Sequence, residues 1–138
     1  MSGYDFFPDV FRRVAADGQP GDLTSFVCGI LETMRKVWLR NARIPERVPI
    51  HITEHRWPTS VGRAVERQAQ VIEQVVRTVY AHGERRNIDS YSLFALRDAQ
   101  AIRADHAADL FSFSGIMTAH YRPRPPFETF RALIQEFG

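Results

Sequence analysis

The sequence predicts an α/β fold in which three parallel strands alternate with helices in the order β-α-β-α-β-loop-α. Short runs rich in aromatic and β-branched residues alternate with segments whose apolar residues recur every three or four positions. This alternation is typical of right-handed connections between parallel strands. The 138 residues are 44% hydrophobic and 25% charged, as in a domain with one core. We therefore expect one α/β domain over residues 1–138.

The first half of the chain supplies two strands and one helix. Residues 3–7 are short and aromatic and end before Pro8, which predicts the first strand, followed by a helical turn over residues 10–14. Asp22 or Thr24 can cap the next helix. Its apolar residues are Phe26, Val27, Ile30, Leu31, Met34, Val37 and Trp38. Residues 48–54 form the second strand, and their apolar or neutral side chains on both faces are expected of a parallel strand covered on both sides.

The second half supplies the third strand and two helices. Thr59 or Ser60 can cap a helix that stops at Gly83. Its apolar face is formed by Val65, Ala69, Ile72, Val75, Val76, Val79 and Tyr80. Residues 88–96 alternate as a third strand. Residues 97–122 are long and irregular, which is usual for a functional loop, with room for a short helix over 104–110. The last helix carries Phe127, Phe130, Leu133, Ile134 and Phe137.

Parallel strands place the residues that follow them at one edge of the sheet, where binding and catalytic residues of α/β folds gather. Glu54 is the main candidate there, because it ends an apolar strand and precedes a loop restricted by Trp57 and Pro58. The alternative interpretation of Glu54 is a carboxylate at the rim of the sheet that pairs with Arg56 or Arg97.

Other candidates at this edge are Asp9, Trp57, Tyr91, Arg97 and Asp98. Trp57 and Tyr91 could stack on the apolar face of a sugar ring, although aromatic residues at such positions belong to the core at least as often. Asp98 directly follows Arg97, and a simple surface ion pair is the other interpretation of this carboxylate.

Composition argues against several other functions. The net charge of +2 makes no case for nucleic acid. No apolar run reaches the roughly 20 residues of a membrane span, and the N-terminus lacks a secretory signal, so we expect a cytoplasmic protein without membrane partners.

Cys28 has no partner for an internal disulfide, and the five histidines form no metal motif. We predict no metal and no cofactor. An open phosphate-binding domain is the weaker alternative, because no glycine-rich phosphate loop follows a strand.

One local concentration of basic residues is formed by Arg35, Lys36, Arg40, Arg43 and Arg47. These residues follow the end of a predicted helix, where cations interact favourably with the C-terminal dipole. We prefer this structural explanation to a phosphate-binding role.

Two segments of the sequence form a recognisable pattern. Pro-Ile-His-Ile-Thr-Glu at 49–54 is followed by Trp57-Pro58-Thr59, and residues 90–98 end in Leu-Arg-Asp. They resemble the seventh strand with its loop and the eighth strand of the retaining glycoside hydrolases of clan A, a family of (β/α)8 barrels. The remaining similar segments are residues 4–9 (sixth strand), residues 115–117 and 121–125 (after the eighth strand) and residues 127–134 (last helix).

This resemblance implies that Glu54 is the nucleophile of a retaining mechanism and that Asp98 and Trp57 contact sugar, with Arg97, Tyr91 and Asp9 as further substrate-binding candidates. A complete barrel takes about 250 residues, so we expect a partial TIM-barrel-like fold that is not closed within one chain. The acid/base glutamate of these enzymes belongs to the fourth strand, upstream of the similar segments.

Two functions follow from the resemblance. The first is the C-terminal part of a retaining glycosidase, inactive as an isolated chain and dependent on another chain for the rest of the barrel. The alternative is a non-catalytic carbohydrate-binding or structural module that forms homo-oligomers. Both imply association with another chain, because unpaired edge strands are usually covered or paired.

Overall fold

The computed structural model describes residues 2–8, 22–60, 62–99 and 112–138. Strands β1 (Ser2–Phe6), β2 (Ile50–His55) and β3 (Ile88–Leu93) form one open parallel sheet in the order β1-β2-β3. The helices are α1 (Leu23–Thr33), α2 (Val65–Gly83) and α3 (Pro125–Phe137). Three parallel strands that alternate with helices confirm the predicted partial TIM-barrel-like α/β fold, and the sheet is not closed into a barrel.

The chain divides into two compact units. The first unit comprises the described residues of 1–55 together with 74–92, and the second comprises those of 56–73 together with 93–138. The first unit contains β1, β2, α1, the second half of α2 and β3 up to Ser92. The second unit contains the first half of α2, the loops after β2 and β3, and α3.

Helix α1 begins where the sequence predicts and changes form at its end. Asp22 caps it, because its carboxylate accepts the amides of Thr24 and Ser25 at 3.1 and 3.0 Å. The chain continues from Met34 to Leu39 as a wider π-helical turn. Val37 and Trp38 are 45% and 49% exposed, so they are not part of the buried helix face that the sequence predicts. The π turn causes this difference, because its extra residue per turn changes the 3.6-residue spacing.

The core of the first unit lies between the sheet and the helices. Met34, Leu39 and Ile50 form one buried cluster, against which Tyr4 and Ile88 pack. The buried apolar residues of this unit are Phe6, Leu23, Val27, Leu31, Met34, Leu39, Ile50, Ile52, Val75 and Val79. Fully burying an aliphatic side chain contributes about 1.5–3 kcal/mol.

Two predicted boundaries change in the structure. Gly83 keeps right-handed helical angles, and the chain passes through a 3₁₀ turn (Glu84–Arg86) before Asn87, at a φ of 51°, ends the helical segment. The predicted third strand over 88–96 ends at Leu93. It ends there because residues 95–99 pair with residues 112–117 instead of continuing the sheet, as in the amide of Met117 bonding to the carbonyl of Leu96 at 2.9 Å.

Helix α3 starts two residues before the predicted apolar pattern, at Pro125, where proline's fixed φ suits a first helical turn. Leu133 is buried, whereas Ile134 is 55% exposed and leaves the predicted apolar face. The helical turn predicted over 10–14 and the short helix predicted over 104–110 lie outside the described residues.

A glycine with no room for a side chain joins the two paired segments of the second unit. A Cβ atom on Gly115 would lie 2.1 Å from the amide nitrogen of Asp98 and 2.2 Å from the carbonyl carbon of Arg97. We expect Gly115→Ala to lower the free energy of unfolding by about 1–3 kcal/mol or more, because the backbone must move apart. Urea unfolding measures this change.

Gly29→Ala is the matched control. Gly29 lies within α1, and a Cβ atom there has no neighbour within 4 Å. This substitution should raise the free energy of unfolding by about 0.5–1 kcal/mol, because alanine favours helix more than glycine does. Equal effects of the two substitutions would contradict the close approach at Gly115.

Candidate functional site

Glu54 lies beside a β-bulge at the carboxyl end of β2. Tyr4 pairs with Ile52 and Asp5 pairs with Glu54, so Thr53 is an extra residue without a partner on β1. The Thr53 hydroxyl donates to the Asp5 carboxylate at 2.9 Å and holds the bulge in place. Bulges redirect the side chains that follow them and occur often next to active sites.

The bulge decides which side of β2 Glu54 occupies. Ile50 and Ile52 are fully buried, and strict alternation would bury Glu54 with them. Instead, His55 is the fully buried residue on this face, and Glu54 is half-buried. Glu54, at the end of an apolar strand, thereby stays partly exposed.

The opposite face of the sheet near β2 is polar. His51 is half-buried, and its Nδ1 lies 2.8 Å from the Ser90 hydroxyl of β3 and 3.4 Å from the Asp89 carboxylate. Thr53 is exposed, as are Ser90 and Asp89. The second strand is therefore fully buried on one face only, which contradicts the prediction of a strand covered on both sides.

His55 is buried next to Glu54, at the end of β2. Its Nδ1 is hydrogen-bonded to the Tyr91 hydroxyl of β3. The imidazole lies between two aromatic rings, with centroid distances of 6.1 Å to Phe6 and 5.7 Å to Tyr91. Burial lowers the pKa of His55 to about 3, so the ring is neutral at physiological pH. Its Nε2 has no hydrogen-bond partner within the part of the chain that the structure describes.

Tyr91, a predicted sugar contact, is thus brought to the residue that follows Glu54. Its hydroxyl is used by His55, and burial raises its pKa well above the ordinary value, so Tyr91 is a neutral hydrogen-bonding group. The structure brings Glu54 and Tyr91 to adjacent strands of the first unit. A contact between Tyr91 and sugar remains a prediction.

Trp57 belongs to the second unit and is almost fully buried, with 4% of its surface exposed. The Gln68 side-chain amide donates to the Trp57 carbonyl at 2.9 Å and to the Ser114 carbonyl at 3.2 Å, which joins the loop after β2 to residues 112–117. The Arg63 guanidinium lies 5.7 Å from the Trp57 ring centroid. The indole is therefore buried, and its contact with sugar remains a prediction.

Asp98 is a buried carboxylate with partners on both oxygens. One oxygen accepts the amide of Gly115 at 2.8 Å, and the other pairs with Arg124, the residue before α3. Asp98 is 3% exposed. Burial raises its pKa, while the Gly115 amide and the Arg124 charge act in the opposite direction. The partner of Asp98 is thus Arg124, and the carboxylate is not part of a surface pair with Arg97.

Arg97 is exposed, and its guanidinium lies 5.2 Å from the ring centroid of Tyr121. Arg56, directly after His55 in the sequence, lies 4.0 Å from the ring centroid of Phe94. Arginine–aromatic contacts therefore recur in the loops of the second unit. Asp9 lies outside the described residues.

The sequence predicts no role for His55, Gln68, Gly115 or Arg124. His55 is buried because of the bulge. Gln68, Gly115 and Arg124 act through partners that are distant in the sequence. Among the residues described, no cluster of three or more His, Cys, Asp or Glu side chains could hold a metal ion. Within the same residues, no helix has the length and hydropathy needed to cross a bilayer.

A solved structure of a GH5_18 from Bifidobacterium longum subsp. infantis resembles this chain. It aligns with 87% of the chain at a TM-score of 0.65 and 18% sequence identity. The fold is glycoside-hydrolase-like. The chain spans 26% of the length of that GH5 family glycoside hydrolase, so the similarity concerns a part of the larger fold. No protein-family model and no curated protein sequence matches the chain.

The buried neutral His55 should make the protein sensitive to acid. The unfolded chain has the ordinary histidine pKa of 6.5 and the folded protein one of about 3, so the unfolded state binds the proton first as pH falls. His55 therefore leaves stability unchanged above the unfolded pKa. As pH falls from the unfolded pKa towards the folded one, protonation of His55 in the unfolded state lowers the free energy of unfolding by about 1.4 kcal/mol per pH unit. Urea unfolding at several pH values should show this slope reduced in His55→Gln.

His120→Gln is the control, because His120 is exposed. This variant should keep the pH slope of the wild-type protein. The slope is the decisive quantity, since His55→Gln also changes the stability at neutral pH through the hydrogen bond to Tyr91. An unchanged slope in His55→Gln would contradict the burial of a neutral imidazole.

Proposed function

We propose that this chain is the C-terminal part of a retaining glycoside hydrolase of clan A and that Glu54 is its nucleophile. The observation that carries the proposal is the position of Glu54, a half-buried carboxylate next to a bulge at the carboxyl end of a parallel strand. Catalytic residues of barrel enzymes gather at this end of the strands. The glycoside-hydrolase-like fold supports the assignment.

The proposed chemistry needs a second carboxyl group. In a retaining enzyme the nucleophile attacks the anomeric carbon, while an acid about 5–5.5 Å away protonates the departing oxygen and later activates water. Asp5 is the register partner of Glu54 on β1, but its carboxylate accepts the Thr53 hydroxyl and supports the bulge. We assign the acid/base role to a residue of another chain, and the isolated chain should then not turn over ordinary glycosides.

The proposed partner is a chain that supplies the rest of the barrel. Within the described residues, the outer strands of the sheet order β1-β2-β3 each have one neighbouring strand, and an added strand can pair with such an edge. A second copy of this chain would add strands equivalent to those already present and no fourth-strand glutamate. The proposed partner is therefore a different chain and not a second copy of this one.

An activated fluorosugar tests the nucleophile without the missing acid. A dinitrophenyl 2-deoxy-2-fluoroglycoside loses its phenolate, with the bonding electron pair, without protonation. The Glu54 carboxylate would form the new bond to the anomeric carbon, and the fluorine would slow hydrolysis of the ester. With a panel of such sugars, intact-mass spectrometry should show one added glycosyl group, and peptide mapping should place it on Glu54.

Glu54→Gln should remove the label, and Glu84→Gln, at an exposed glutamate on the 3₁₀ turn, should retain it. Ordinary nitrophenyl glycosides should release no phenol beyond the buffer rate. The proposal fails if no sugar in the panel labels the protein, or if Glu54→Gln is labelled as extensively as the wild type.

A further inference from the structure

A pocket in the first unit collects basic side chains from two separate segments. Its volume is about 410 Å³. It is lined by Glu32, Arg35, Lys36, His82, Arg85 and Arg86, and we refer to it as the basic pocket. Residues 32–36 lie at the junction of α1 and the π turn, and residues 82–86 lie at the end of α2 and in the 3₁₀ turn.

The basic pocket differs from the basic cluster seen in the sequence. Arg40, Arg43 and Arg47 do not line it. Arg85 and Arg86 take their place, about 50 residues later in the chain than Arg35 and Lys36. A favourable interaction with one helix end therefore does not explain the arrangement, since the cations come from two helical segments and face one cavity.

The hydrogen bonds of Arg35 place the basic pocket at the amino end of the sheet. Its guanidinium donates to the carbonyls of Val48 and Arg86, which lie just before β2 and β3, at 2.9 Å each. Glu54 lies at the opposite, carboxyl end of β2. The pocket is therefore separate from the proposed nucleophile.

The charges around the pocket are unbalanced. Four basic side chains and one carboxylate line it, which leaves an excess of three formal positive charges when His82 is left out. Glu32 contacts Lys36 through one oxygen and Arg86 through the other, the latter at 3.1 Å. Lys36 and Arg86 together hold the pKa of Glu32 below its usual range. A concave surface with such an excess attracts anions.

Two of these cations have donors that a ligand can reach. The Lys36 side chain is 72% exposed. Arg85 is exposed. Arg35, in contrast, is occupied by backbone carbonyls. Arginine and lysine are the usual partners of phosphate oxygens, arginine through two parallel hydrogen bonds.

We propose that the basic pocket binds the phosphate group of a small molecule, held by Lys36, Arg85 and Arg86, with Glu32 as a resident carboxylate that the phosphate partly displaces. The pocket volume lies within the roughly 300–1,000 Å³ of small-molecule sites. A phosphate monoester has the negative charge that the excess requires, and the remaining volume can hold its organic part.

Isothermal titration calorimetry on the full chain tests the site. Inorganic phosphate and glucose 6-phosphate are the probes, at an ionic strength held constant with sodium chloride so that general screening does not change. We expect saturable 1:1 binding. Arg85→Gln should weaken it about tenfold or more, as the loss of a charge-assisted hydrogen bond predicts. Arg40→Gln is the control. It removes an exposed charge that lies outside the pocket, at the end of the π turn that carries Lys36, and it should leave the affinity unchanged.

Glu32→Gln should change the phosphate affinity in the opposite direction to Arg85→Gln. It removes the resident carboxylate and frees Lys36 and Arg86, so phosphate should bind several-fold more tightly. Tighter binding of glucose 6-phosphate than of inorganic phosphate would assign the site to a phosphate ester, and equal affinities would assign it to the free ion. The proposal is overturned if neither probe gives saturable binding, if Arg40→Gln weakens binding as much as Arg85→Gln, or if Glu32→Gln does not tighten it. None of these results depends on glycosidase activity.

Discussion

The parallel sheet of the first unit is fixed at both ends by side-chain hydrogen bonds. At the amino end, Arg35 bonds to the carbonyls of four residues that precede β2 and β3. At the carboxyl end, the Thr53 hydroxyl bonds to Asp5 of the neighbouring strand. The extra residue of β2, Thr53, lies near this carboxyl end. The exchange of faces between Glu54 and His55 follows from that bulge.

The second unit is organised by a buried carboxylate. Asp98 joins its own segment to Gly115 and to Arg124 at the start of α3, and the contact is possible because residue 115 has no side chain. Removing one partner of such a buried pair leaves the other charge uncompensated, which typically costs several kcal/mol. The interactions of Asp98 therefore account for its burial, and any contact with substrate would be additional to this structural role.

The sequence predicts those parts of the fold that depend on local patterns. Periodicity and the Asp22 cap are sufficient for α1, and short runs rich in aromatic or β-branched residues are sufficient for β1 and β2, whose observed ends lie within two residues of the predicted ones. Non-local pairing is not visible in such patterns. It ends β3 at Leu93 and brings Arg124 to Asp98. The burial of His55 depends on the bulge, which period-two alternation does not contain.

The bulge also connects the incomplete sheet with the proposed active site. Parallel sheets are usually covered on both faces, yet the face of β2 that carries His51 and Thr53 is polar and partly exposed. In a closed barrel one face of every strand points to the interior, and a polar face with a partly exposed glutamate at its carboxyl end suits the interior of a sugar-hydrolysing barrel. In the proposed enzyme, a partner that completes the sheet would therefore also enclose Glu54. Folding of the barrel and assembly of its catalytic pair would then be one event.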